Sequence, residues 1–377
     1  MKLKNSFIAL VYGTVLLASS AYALEVDREV LPRITLGGRL ISTVDSDQSI
    51  NIGDSSFATR FDKRLYENGV AGGVIGIKED GGVINFNQTH VFFWNRDIEA
   101  KAGRTRLPNT FIEFPLLRDE DMMSMTHVGN GSSNSEYDQF YGKIVSFDWV
   151  LDQKVQKLGV WTGTRRNDVI GAVDGFDSYG ASFRYEQPES LRYLKRVRRA
   201  GILLDAQKDW SGSNEVFQSL IAGAEFNLNI NPKSNWSMGA QAILNAGVPG
   251  VTLVNLNNAT NAVSNRARGK STAFVTSLRY TRRPHLLTRL QAAVTVGYKS
   301  YDAGGSEVSV APSLVYRVGQ GIDLLAQYRN TQFSGGLNAI GSTNLVQVGL
   351  AFDLDAKYND TIGVRDSILN LEHGYIQ

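Results

Sequence analysis

The residues with the strongest chemical character lie in one unusual stretch, 101–141, KAGRTRLPNTFIEFPLLRDEDMMSMTHVGNGSSNSEYDQFY. It opens as a strand carrying Arg104 and Arg106, breaks at Pro108, and then runs through 108–137 without a strand or helix period. Those thirty residues hold Glu113, Asp119, Glu120, Asp121 and Glu136 against Arg118 alone, five acids to one base and a formal charge of −4. Asp119, Glu120 and Asp121 offer hard oxygen ligands, but the spaced pattern of a calcium loop is missing, so no metal is expected. The segment also carries Phe111, Ile112, Phe114, Leu116, Leu117, Met122, Met123 and Met125, too many apolar side chains for a loop bathed in water. Packing of these side chains against another surface is the simplest account; an apolar path for a hydrophobic substrate is the alternative.

Other chemistries find little support. The four histidines, His90, His127, His285 and His373, are dispersed, and none is accompanied by a Gly-x-Ser-x-Gly nucleophile elbow. Phosphate-cradling glycine motifs before a helix are absent, and the lack of cysteine, with four dispersed histidines, leaves little for a zinc site. Lys and Arg nearly balance Asp and Glu, for a formal net charge of +2, which leaves no electrostatic footprint for nucleic acid. We therefore expect neither an enzyme nor a cofactor protein.

The elements that position the acidic segment are read from the rest of the chain. Lys2 and Lys4 precede an apolar run from Phe7 to Ala18, and Ala21-Tyr22-Ala23 offers a small-x-small cleavage site, so 1–23 reads as an export signal. An exported chain without cysteine needs stability from another source, and a closed hydrogen-bonded barrel supplies it. Beyond the signal no apolar run is long enough for a membrane helix. If the chain crosses a membrane, it does so as strands.

Alternation supports that reading. In 289–300, Leu290, Ala292, Val294, Val296 and Tyr298 alternate with Arg289, Gln291, Thr295 and Lys299. In 307–317, Val308, Val310, Pro312, Leu314 and Tyr316 alternate with Glu307, Ser309, Ser313 and Arg317, although Pro312 is awkward in a paired strand. Period two with an apolar set facing lipid and a polar set facing a lumen is the signature of a transmembrane strand. The same template yields sixteen candidates between Arg33 and Asp355, an even number as a single-chain bacterial barrel requires. Connections after even strands are short, and the long ones follow odd strands, as periplasmic turns and external loops should. The exception is 188–199, long and basic with Lys195, Arg196, Arg198 and Arg199, which reads as a solvated turn or a short helix. Trp149, Trp210, Trp236, Tyr280, Tyr298 and Tyr316 near strand ends read as aromatic girdles.

Two resemblances follow from these residues. Gln347-x-Gly349-x-x-Phe352-x-Leu354 resembles the last-strand signal recognised by the barrel assembly machinery, although here 356–377 continues past it, as a periplasmic or lumen-entering tail or, alternatively, with a further last strand around Ile368 to Tyr375. Gly103-Arg104-x-Arg106-x-Pro108 resembles the run before the third external loop of many proteobacterial porins. The chain as a whole, 24–355, resembles the sixteen-stranded general porins of Gram-negative outer membranes: all-β, a transmembrane antiparallel barrel with a loop between the fifth and sixth strands folded inward. The resemblance implies an outer-membrane location, lipid and lipopolysaccharide around the barrel, a homotrimer, and passive passage of small polar solutes and ions. It makes 108–137 the constriction loop, with Glu113, Asp119, Glu120 and Asp121 facing the wall bases Arg39, Arg60, Arg64, Arg289, Arg317 and Arg329. Arg104 and Arg106 join the constriction, with their direction left open by parity. Two other readings stand beside it: a substrate-specific channel of the same fold, and a secreted or periplasmic all-β binding protein.

Overall fold

The structure is a computed structural model describing residues 33–46, 50–51, 55–66, 69–80, 83–106, 141–152, 155–164, 178–187, 194–208, 216–231, 233–245, 270–283, 289–302, 304–319, 321–338 and 341–358. The export signal, the segment 108–137, Trp210 and the tail beyond 358 lie outside the described residues, so the expectations for them are not addressed by it.

Seventeen strands are described: β1 (Arg33–Asp45), β2 (Ile50–Asn51), β3 (Ser56–Tyr66), β4 (Gly69–Asp80), β5 (Val83–Trp94), β6 (Ile98–Arg106), β7 (Tyr141–Asp152), β8 (Gln156–Thr164), β9 (Ser178–Glu186), β10 (Val197–Lys208), β11 (Val216–Asn227), β12 (Ser234–Asn245), β13 (Ser271–Arg282), β14 (Arg289–Tyr301), β15 (Gly305–Gly319), β16 (Ile322–Gly335) and β17 (Thr343–Tyr358). β2 is a two-residue strand paired with β1. The other sixteen each pair antiparallel with the next, and β1 pairs with β3 on one side and β17 on the other. Each of the sixteen predicted strands corresponds to one strand of this ring. Closure leaves no edge, so wall strands satisfy their backbone groups from neighbours, which a bilayer demands.

Period-two alternation decides which face meets what. On β14 and β15, Val294 is 45% and Leu314 44% exposed, while Thr295 and Glu307 are fully buried. In a water-soluble protein the apolar set would be inside; here it is outside and the polar set inside. The apolar outer face includes Phe57, Phe61, Ile202, Phe274, Val348 and Phe352. Among the described residues no helix is long and apolar enough to cross a membrane, so the strands themselves form the apolar surface.

The strand ends joined by 67–68, 95–97 and 320–321 lie at one rim, and those joined by the long connections 107–140 and 246–270 at the other, together with the ends joined by the short 81–82 and 302–304. Trp149, Trp236, Tyr280 and Tyr316 face outward close to the short-turn rim, and the rings of Trp236 and Tyr280 lie 5.0 Å apart. Amphipathic rings at that level match a membrane interface. Pro312 keeps its partner Val294 on β14, but the ladder to β16 skips from Val310 to Ser313. Proline has no N–H to give, so pairing lapses on one side only.

One connection corrects the sequence reading. The basic run is not all turn: β10 starts at Val197, its register shifts between Val197 and Arg199, and Arg198 and Arg199 are both buried. A bulge adds a residue to one strand, so two consecutive side chains turn to the same face.

Candidate functional site

On β6 to β13 the described charged side chains of the inner face collect at the short-turn rim. Their arrangement begins with a problem of register. Glu99 on β6 lies opposite Asp148 on β7, and Lys157 on β8 lies opposite Arg184 on β9. Like charges directly opposite are unfavourable. The side chains resolve this by reaching diagonally across an intervening strand. Lys157 Nζ reaches Glu99 Oε2 at 2.6 Å over β7, and Arg184 reaches Asp148 Oδ1 at 2.6 Å over β8. Lys101 Nζ adds a second cation to Glu99 at 2.9 Å.

The second diagonal depends on a glycine. Gly159 is the β8 residue between Asp148 and Ser182 in register, and a Cβ there would lie 2.1 Å from Asp148 Oδ1. Any side chain would occupy the corridor through which Asp148 meets Arg184. Nearby, Gly180 makes the same kind of space for the buried Trp161 ring.

The belt continues around the wall. Arg199 forms an ion pair with Glu186, Nη2 to Oε1 at 3.1 Å, and approaches Glu225 Oε2 at 3.7 Å. Glu225 Oε1 also receives Arg198 and Arg279, and both guanidiniums reach Ser237 Oγ at 3.2 Å. The bulge in β10 brings Arg198 into this group; without it, strict alternation would aim that side chain outward. One buried carboxylate thus serves three guanidiniums, an arrangement that needs every partner in place to offset desolvation.

The predicted wall bases are placed differently. Arg60 is buried on β3 and pairs with Asp62 at 3.0 Å. Arg317 on β15 faces Asp323 on β16 in register and makes two bonds of 2.8 Å to its two oxygens. Arg289 lies opposite Arg317. Arg329 is buried in the other half of β16, donating to Thr331 at 3.0 Å and Thr343 at 2.6 Å. Arg39 pairs through its backbone with Asp353 and Ser56; its side chain, like those of Arg64 and Arg106, lies outside the described ones. Only Arg289 and Arg317 are immediate neighbours in this set, so these bases are spread along the wall.

Arg104 is corrected. It lies opposite Thr89 and Lys143, both exposed, and shares their face with Val91 and Val145. That is the outer face, because Glu99 and Lys101 hold the inward parity of β6. The acids Glu113, Asp119, Glu120 and Asp121 lie outside the described residues.

Sequence reasoning missed Glu99, Lys101, Asp148, Lys157, Arg184, Glu225 and Arg279. The signal was present in the alternation, since Val145, Phe147 and Trp149 outward put Ser146 and Asp148 inward.

No protein-family model and no curated protein matches the sequence. Solved structures do. A loop-deletion form of OmpT, an outer membrane protein of Vibrio cholerae, superposes with a TM-score of 0.60 at 10% identity, covering 86% of this chain and 99% of that one. The outer membrane channel DcaP of Acinetobacter baumannii gives 0.56 at 13% identity, covering 86% and 97%. An anion-selective porin from Comamonas acidovorans gives 0.54 at 14% identity, covering 86% and 99%. At such identities the likeness is one of fold, and the fold is that of the porin barrels of Gram-negative outer membranes.

Proposed function

We propose that the protein is an outer-membrane porin, a passive diffusion channel for small hydrophilic solutes and ions. The observation that carries this reading is the inverted wall: apolar side chains exposed on the outside of a closed sixteen-strand ring, charged and polar ones inside. Such a ring has no reason to exist in water, and sixteen strands are enough to enclose an aqueous lumen. The short-turn rim is then periplasmic and the long-loop rim external.

Within this reading 108–137 is the constriction loop, its acids Glu113, Asp119, Glu120 and Asp121 opposing wall bases such as Arg60 and Arg329 across the pore, while Arg289 and Arg317 stand at the short-turn rim, apart from it. The inner wall supports the packing it requires. Ile144, Trp161, Leu203, Ile221 and Ile243 face inward and are nearly or fully buried, an apolar surface suited to the loop's Phe, Ile, Leu and Met side chains. The expected surroundings are lipid and lipopolysaccharide outside, two further copies in a trimer, and the barrel assembly machinery during insertion.

Liposome swelling tests the function. Vesicles containing the purified protein should swell in isotonic small sugars and progressively less as the sugar grows. Vesicles that swell no faster than protein-free ones would contradict the proposal.

A further inference from the structure

We infer that the charged belt at the short-turn rim is a second charge filter, separate from the constriction and favouring anions at the periplasmic mouth. The inference rests on the channel reading above. Three observations carry it.

The charge is confined in height. On the inner face of β6 to β13, the described charged side chains all fall in the belt, while the described inward residues nearer the opposite rim, such as Thr105, Ile144, Trp161, Leu203 and Val275, are uncharged. From Glu99 to Arg106, where the long connection leaves β6, the chain climbs roughly 23 Å along the strand. That distance exceeds the screening length of about 8 Å at physiological salt, so the belt acts on an ion at its own level.

The charge has a sign. The ion pairs of the belt join six bases, Lys101, Lys157, Arg184, Arg198, Arg199 and Arg279, to four acids, Glu99, Asp148, Glu186 and Glu225. Across the lumen at the same rim, Arg289 and Arg317 outnumber Asp323. Among the described side chains, both sides of the mouth therefore carry an excess of positive charge, the pair Arg60 and Asp62 being neutral.

The belt is also layered. Arg198, Arg199, Glu225 and Arg279 have side chains 1–3% exposed, whereas Glu99, Lys101, Lys157 and Arg184 are 19–31% exposed. The inner group fixes the wall and the second group touches the water through which ions move. A unit charge about 8 Å from the ion path, in a water-like dielectric with salt screening, changes the local anion concentration by about 1.4-fold and the cation concentration by the inverse factor, so the anion-to-cation ratio changes by about 1.5–2-fold.

The test is the reversal potential of the purified protein in planar bilayers under a potassium chloride gradient. Lys101→Gln should lower the anion-to-cation permeability ratio by about 1.5–2-fold, and Glu99→Gln should raise it by a similar factor. Arg104→Gln, three residues further along the same strand but on the outer face, should leave the ratio at the wild-type value. Heat-modifiable mobility in gel electrophoresis identifies the folded variants, and either substitution alone suffices to read the sign. Wild-type ratios in conducting Lys101→Gln and Glu99→Gln channels would overturn the filter while leaving the channel intact. A folded wild type that does not conduct would overturn the channel reading and the filter with it.

Discussion

Two charged regions of the same inner wall are built on opposite plans. On β15 and β16, Arg317 and Asp323 sit six residues apart, face one another in register and satisfy one another within a single hairpin. On β6 to β13, Lys157 and Glu99 are 58 residues apart and Arg279 and Glu225 are 54 apart, and each contact spans an intervening strand. The hairpin pair forms with its own turn and would tolerate changes elsewhere. The belt exists only when several strands hold their mutual register, so it reports on closure of the wall and shares any damage among its members.

That contrast predicts a ranking. The largest effect should come from Glu225→Gln, which leaves Arg198, Arg199 and Arg279 crowded and buried without their common carboxylate. Removing one partner of a buried ionic group costs about 3–5 kcal/mol, to be read as a lowered urea midpoint for the folded protein in detergent or lipid. Next comes Gly159→Ala, which introduces a methyl into the corridor used by Asp148 and Arg184. Overpacking of this kind costs about 1–3 kcal/mol, and recovery of stability in Gly159→Ala combined with Asp148→Ala would show that the clash is with that carboxylate. Smallest is Lys270→Ala at the long-loop rim, whose partner Asp302 is itself more than half exposed. Solvent screening limits that loss to about 0–1 kcal/mol, and a loss as large as that of Glu225→Gln would break the ranking.

The same contrast explains what the sequence could disclose. The face of each strand residue follows from its own parity, so the sixteen strands, the lipid-facing Val294, Val296 and Tyr298, and the inward Arg60, Arg317 and Arg329 were legible. Register between distant strands is not local. Nothing in Glu99 or Arg184 alone indicates that they belong to one belt. The bulge at the start of β10 was hidden for a related reason, because a one-residue shift inverts every face and turned Arg198 from a turn residue into a buried one. Arg104 was more legible than its reading allowed. Ile98, Ala100 and Ala102 alternate with Glu99 and Lys101, and extending that pattern puts Arg104 outside, where β7 confirms it. The small alanines hid the lipid-facing parity that larger residues would have shown.

If the inverted, closed wall encloses a water-filled path, ions must cross it singly and freely. Single-channel recording of the purified protein in planar bilayers tests it most directly. Stepwise openings are expected, with ohmic current and a conductance that rises in proportion to bulk potassium chloride. Folded, heat-modifiable protein that inserts without producing such steps would contradict it.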